Sequence, residues 1–118
     1  MVVRVGIIGA SGFTGAELLR LVAGHPDFEV VVATGDSQAG TRVADLYPSL
    51  AVAHPELTFV PHRPGLADDH RLDVVFCGLP HGTSQELVPD LLAPGRLVVD
   101  LGADFRLKDA SLYPRWYH

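Results

Sequence analysis

The strongest chemical signal in the sequence is the run Gly9-Ala10-Ser11-Gly12-Phe13-Thr14-Gly15. Its three glycines divide the work of holding a pyrophosphate. Gly9 permits a tight turn, Gly12 lets the phosphates approach the backbone, and Gly15 lets a following helix pack close to a strand. A helix opening at this point would present unpaired N–H groups and its positive dipole end to an anion. Ser11 and Thr14 add hydroxyls there. The spacing is G-x-x-G-x-x-G and lacks the lysine of a triphosphate-binding loop, so a dinucleotide is favoured over a nucleoside triphosphate. The plain alternative is a glycine-rich turn without a ligand.

Four further groups have types and positions that suit chemistry. Asp36 lies in Gly35-Asp36-Ser37, about 20 residues past the loop, where a carboxylate reads the adenosine ribose hydroxyls. In that role it repels a 2′-phosphate and points to NAD; otherwise it is a turn acid. His81 in Pro80-His81-Gly82 follows an apolar run and is the most site-like of the six histidines. It reads more readily as a capped or surface loop residue than as a catalytic one. Cys77 sits inside that apolar run, where a cysteine is ordinarily inert packing rather than a nucleophile. Arg106, between Phe105 and Leu107, can clamp a phosphate or carboxylate at two points, or pair with Asp104 or Asp109.

These residues need a scaffold, and the hydropathy pattern supplies one. Val2–Ile8, Phe28–Thr34, Leu57–Val60, Asp73–Leu79 and Arg96–Leu101 read as strands, the first a continuous apolar run suited to a sheet buried on both faces. A helical pattern follows the glycine loop, with Ala16, Leu18, Leu19 and Val22 on one side. Gly24 caps it and Pro26 stops it. A short helix is predicted within Gly40–Tyr47. Thr83 and Glu86 form a capping-box signature for another helix, which Pro89 should kink or shorten. Strand, helix and strand in alternation predict an α/β fold, a Rossmann-type doubly wound parallel sheet. Its simplest strand order is 3-2-1-4-5. The glycine loop, the Asp36 turn, Pro80-His81 and Arg106 then all fall at the carboxyl edge of the sheet, where ligands of open α/β sheets bind.

Composition narrows the function classes. A hydrophobic fraction of 47% and a charged fraction of 19% exclude a disordered chain. Nine Lys and Arg against fourteen Asp and Glu give a net charge of −5 and argue against nucleic acid as a partner. No apolar run approaches the ~20 residues of a membrane span, so no membrane partner is expected. The single cysteine excludes a disulfide framework and a cysteine-based zinc cluster, and it fits a cytoplasmic protein. No metal site is predicted.

The combination of GASGFTGAELLRLVAGHP (9–26), LPHG (79–82) and DLGADFRLKD (100–109) resembles the N-acetyl-γ-glutamyl-phosphate reductases of arginine biosynthesis. The resemblance covers nearly the whole chain. The glycine loop alone is shared with aspartate-semialdehyde dehydrogenases; the other two stretches are more specific. The resemblance implies NADPH-dependent reduction of an acyl phosphate to an aldehyde. A cysteine thiolate attacks, phosphate leaves, and hydride reduces the resulting thioester. It implies that residues 9–15 hold the pyrophosphate and that the region of Ser37 meets the adenosine end. It also places Pro80 and His81 beside the nicotinamide half and assigns Arg106 to the substrate phosphate. The family's Gly-Asn-Pro-Gly-Cys motif and its later catalytic histidine do not occur here. The expectation is therefore one cofactor-binding domain over residues 1–118, with no catalytic residue in this chain. The catalytic and dimerisation domain of a homo-oligomeric enzyme would lie outside it. Asp36 departs from the small or basic residues the family often carries in that turn. This leaves NAD possible beside the NADP the resemblance implies. A lysine-pathway relative acting on a carrier-bound aminoadipyl phosphate shares these motifs, and a non-catalytic dinucleotide-binding module is the rival of a different class.

Overall fold

The computed structural model describes residues 2–78 and 89–101, with Asp36 described by its backbone alone. Four parallel strands form one sheet: β1 (Val3–Ile8), β2 (Phe28–Ala33), β3 (Val74–Cys77) and β4 (Leu97–Asp100), in the order β2-β1-β3-β4. Helix α1 (Phe13–Ala23) connects β1 to β2. Two further short helices, α2 (Val43–Leu46) and α3 (Leu66–Asp69), lie in the long passage from β2 to β3. Residues 89–91, which include Pro89, are helical. The Thr83–Glu86 capping box lies outside the described residues.

The period-two alternation of a strand sends neighbouring residues to opposite faces, and both faces here are covered. Val5, Ile7 and Ala33 face one side, the front, packed with Leu19 and Val22 of α1, Val43, Leu50 and Phe59. Ile8, Val32, Val75 and Cys77 face the other, the back, against Leu66, Ala67, Leu72 and Leu91. Burial on both faces explains why the strands read as continuous apolar runs. Gly24 is the C-cap of α1 as expected, at φ −81°, and closes the helix without entering the left-handed region.

The segment expected as a third strand, Leu57–Val60, differs. It makes two isolated bridges, Val60 parallel to Thr34 and Thr58 antiparallel to Arg42. Neighbouring residues thus pair with different partners in opposite senses, and no ladder can propagate between them. Pro61 adds to this by removing the next N–H. Val60 still donates to Ala33 O at 3.0 Å and accepts from Gly35 N–H at 3.1 Å, so the segment borders β2 where the expected order put it.

Arg96 ties the start of β4 to the back layer. Its guanidinium is 7% exposed and donates to Leu72 O at 3.0 Å, Leu91 O at 2.9 Å and Asp68 Oδ1 at 2.9 Å. Arg96→Ala strands two carbonyls, while the Asp68 carboxylate, 71% exposed, recovers its hydration. A loss of about 2–3 kcal/mol is expected in urea unfolding. Arg96→Lys should restore only part of it, because one ammonium cannot span three divergent acceptors.

Candidate functional site

The glycine loop runs from the end of β1 into α1, and each glycine meets a different physical demand. Gly9 has φ +75°, a conformation that side chains disfavour. Its N–H donates to Thr34 Oγ1 at 3.0 Å, and the next N–H, of Ala10, donates to Thr34 O at 2.6 Å. Ala10 is fully buried. Gly15 lies against the turn so closely that a β-carbon on it would sit 2.3–2.5 Å from the Ala10 backbone. Gly12, the N-cap of α1, is the opposite case: a β-carbon there meets nothing within 4 Å. The positive φ thus falls on Gly9, the close packing on Gly15, against Ala10 of the turn rather than the strand itself, and the open side on Gly12.

The open side of the loop faces the N-terminus of α1. The first-turn N–H groups of an α-helix lack intrahelical partners. Among the described residues no side chain caps α1, and no acidic residue lies in its first turn to offset the positive end of the dipole. Thr14 is exposed, and Phe13 is 90% exposed. An open, mainly apolar recess of about 480 Å³ lies beside them, lined by Phe13, Thr14, Glu17, Leu18, Leu21 and Leu101. A second recess of about 410 Å³ lies at the opposite end of α1, among Val22, Phe28, His54 and Leu57. It is remote from the loop.

The turn after β2 comes up against the loop. A β-carbon on Gly35 would lie 2.9 Å from Ser11 Cβ and 3.1 Å from Ser11 Oγ, so the absence of a side chain at Gly35 makes room for Ser11. The backbone then turns through a 3₁₀ segment, Asp36–Gln38, closed by Gln38 N–H donating to Gly35 O at 2.7 Å. Ser37 is exposed on this segment. The backbone of Asp36 therefore belongs to the same sheet edge as the glycine loop. Arg42 pairs with Asp45 at 3.0 Å on the exposed surface, and that carboxylate holds the guanidinium pKa above its usual value. Pro80, His81 and Arg106 lie outside the described residues.

Cys77 is fully buried near the end of β3, beside Asp100 in the β3–β4 register. Burial, then the charge of Asp100, pushes its thiol up to about 12. A nucleophilic cysteine needs the reverse, a depressed pKa and access. In the folded chain Cys77 should resist alkylation at pH 8, with about a thousandfold less thiolate than an ordinary cysteine. It should label readily in urea, and mass spectrometry after an iodoacetamide pulse checks both. The sign for stability follows from the raised native value. Below pH 9 both states hold the proton, and above it the unfolded chain loses the proton first. Stability should therefore fall as pH rises from about 9 towards 12, and less steeply in Cys77→Ala.

Two residues at this edge gave no signal in the sequence. The Thr34 hydroxyl, 2% exposed, receives the Gly9 N–H. The Tyr47 hydroxyl donates to Ser11 O at 2.5 Å from a position 36 residues further along the chain. For Tyr47 the one available clue was its type, since a packed phenol needs a polar partner.

The family described as semialdehyde dehydrogenase, NAD binding domain, matches residues 4–115. The chain belongs to that family. Its cofactor class is accordingly a nicotinamide dinucleotide. Curated relatives include N-acetyl-gamma-glutamyl-phosphate reductase of Ectopseudomonas mendocina (strain ymp), 50% identical over 115 residues that cover 98% of this chain. The protein of the same name from Azotobacter vinelandii (strain DJ / ATCC BAA-1303) is 50% identical over 97% of this chain. The chain spans about a third of the length of each of these relatives. Among solved structures, aspartate semialdehyde dehydrogenase with NADP from Candida albicans superposes with a TM-score of 0.77 at 24% identity, over 92% of this chain and 32% of that one. That likeness supports the Rossmann-type α/β fold, and the resemblance of the sequence to the reductases stands at half-identity. Among the described residues, no helix is long and apolar enough to cross a membrane, and no cluster of His, Cys, Asp or Glu is arranged to hold a metal ion.

Proposed function

We propose that this chain is the cofactor-binding domain of an N-acetyl-γ-glutamyl-phosphate reductase, with NADPH as its cofactor. The observation that carries this reading is the open approach at Gly12, in a loop held from behind by Thr34 and Tyr47. In it, Gly9 to Gly15 hold the pyrophosphate through backbone N–H groups, with Ser11 and Thr14 contributing at the rim. The turn at Asp36 and Ser37 takes the adenosine end. Pro80 and His81 follow the cofactor towards the nicotinamide, and Arg106 takes the substrate phosphate, both assignments resting on the sequence resemblance. When bound, the nicotinamide supplies the hydride that converts the acyl phosphate to N-acetylglutamate semialdehyde. The half-identity to reductases of that name favours this substrate over an aminoadipyl phosphate. The only cysteine of the chain is buried and protonated, so the thiolate chemistry belongs to residues outside it.

Calorimetric titration with NADPH and NADH, beside an acyl-phosphate reduction assay, tests the reading. Binding without turnover is the expected result. A chain that binds neither nucleotide overturns the cofactor role, and turnover by the 118 residues overturns the assignment of catalysis elsewhere.

Asp36 favours a second reading, in which the cofactor is NAD. A carboxylate about 4 Å from a 2′-phosphate, screened by water and salt, costs about 1–2 kcal/mol, or roughly tenfold in affinity. Under the NADPH reading Asp36 stands clear of the ribose. Wild type then prefers NADPH, and Asp36→Ser shifts that preference by less than about threefold, under 1 kcal/mol. A tenfold gain for NADPH in Asp36→Ser at low ionic strength, with NADH unchanged, would move the assignment to NAD.

A further inference from the structure

We propose that Tyr47 is the positioning residue of the glycine loop, aiming the Gly12 N–H through the hydrogen bond it makes to Ser11. The proposal rests on the reading of residues 9–15 as a dinucleotide cradle and goes beyond it by assigning what orients that cradle. Tyr47 is half-buried against the front core, and its hydroxyl donates to Ser11 O at 2.5 Å. The described residues contain no cis peptide bond, and in a planar trans peptide the C=O and the following N–H point in opposite directions. Turning the Ser11 carbonyl towards Tyr47 therefore turns the Gly12 N–H away from it. Gly12 is also the position whose side-chain direction is open.

Ser11 has little freedom to undo this arrangement. Its side chain occupies the space left by Gly35. The N–H groups of the two residues before it are held by Thr34, Gly9 N–H at 3.0 Å and Ala10 N–H at 2.6 Å. Tyr47 is itself fixed, its N–H donating to Val43 O at 2.8 Å and its carbonyl accepting from Leu50 N–H at 2.9 Å. A loop whose amides are already aimed loses less conformational entropy on taking up an anion, and that difference appears as affinity.

Tyr47→Phe keeps the ring in the core and removes only the hydroxyl. The test is calorimetric titration of wild type and variant with three ligands: NADPH and ADP-ribose, which carry the pyrophosphate, and adenosine 2′-monophosphate, which does not. The two pyrophosphate ligands should weaken about five- to tenfold, the scale of one hydrogen bond, while the monophosphate stays within about twofold. Equal weakening of all three, with a lowered melting temperature, would show a merely structural tyrosine and overturn the proposal. Unchanged affinities would overturn it as well. If wild type binds none of the three, the dinucleotide reading fails and this proposal with it; if only the variant's selectivity fails to change, this proposal alone fails. Should the variant not fold, amide spectra of wild type decide. Gly12 N–H must be among the signals most shifted by ADP-ribose, and an unshifted Gly12 overturns the proposal.

Discussion

Gly15→Ala should destabilise the domain by about 3 kcal/mol, the upper part of the range for overpacking. For a chain of this size that corresponds to a melting temperature lower by roughly 10–15 °C. The reason is the identity of the atoms in the way. An added β-carbon would lie 2.3 Å from Ala10 Cα, 2.4 Å from Ala10 O and 2.5 Å from Ala10 C. These are backbone atoms, so no rotamer change relieves the overlap. Ala10 is itself immobile: it is fully buried, and its N–H is bonded to Thr34 O at 2.6 Å. Relief then requires α1 to move off the sheet, which loosens Leu19 and Val22 in the front core. The displacement would also carry the N-terminus of α1 away from the loop, so any residual binding should weaken along with stability. Chemical denaturation followed by circular dichroism measures the loss. A melting temperature within about 2 °C of wild type, less than 1 kcal/mol, would mean that the helix tolerates a methyl group there and that the close packing is not obligatory.

The sequence made Gly15 legible because its role is local. Strand, turn and helix follow one another without interruption between Val3 and Ala23, and glycine spacing alone separates the three demands on the turn. The same holds for β1, β2 and β3, whose apolar runs show burial on both faces, whereas β4 was legible as an apolar run although its Leu97 is exposed. Legibility falls where partners are distant in the chain. Leu57–Val60 has the composition of a strand, yet Thr58 and Val60 pair with residues on different elements and in opposite senses. Composition cannot report that split. Helix α3, at Leu66–Asp69, is a single turn with two acids and has too short a period to register. The site shows the same division. The glycine loop itself was readable, whereas its supports, Thr34 and Tyr47, lie 25 and 36 residues from the atoms they hold. Arg96 likewise read only as the start of a strand, although it clamps carbonyls from two other segments. Long-range polar contacts depend on the finished packing, and no spacing rule encodes them.

Gly12→Val should separate binding from stability. Gly12 has φ −85° and ψ 179°, an extended conformation that valine adopts without strain. A β-carbon meets nothing within 4 Å, so the side chain has room in the free protein. Valine is a poorer N-cap than glycine, which costs up to about 1 kcal/mol, and this is offset by about 0.4–1 kcal/mol from the reduced freedom of the unfolded chain. The melting temperature should therefore stay within about 4 °C of wild type. Binding should respond quite differently. Under the proposed role of residues 9–15, the space that is open in the free protein is the space through which a pyrophosphate would reach the N-terminus of α1. A branched side chain there holds the phosphates off the backbone amides, and charge-assisted hydrogen bonds are lost within a fraction of an ångström of separation. Affinity for NADPH and for ADP-ribose should drop at least about a hundredfold, near 3 kcal/mol. Gly12→Ala, with one methyl group, should fall between wild type and Gly12→Val. Calorimetry on the folded variants decides the matter, with Gly15→Ala as the opposite control: one substitution spares the fold and abolishes binding, the other damages the fold first. Undiminished affinity in a folded Gly12→Val would show that residues 9–15 serve only as a turn, because no pyrophosphate can lie against that backbone with a valine in its path.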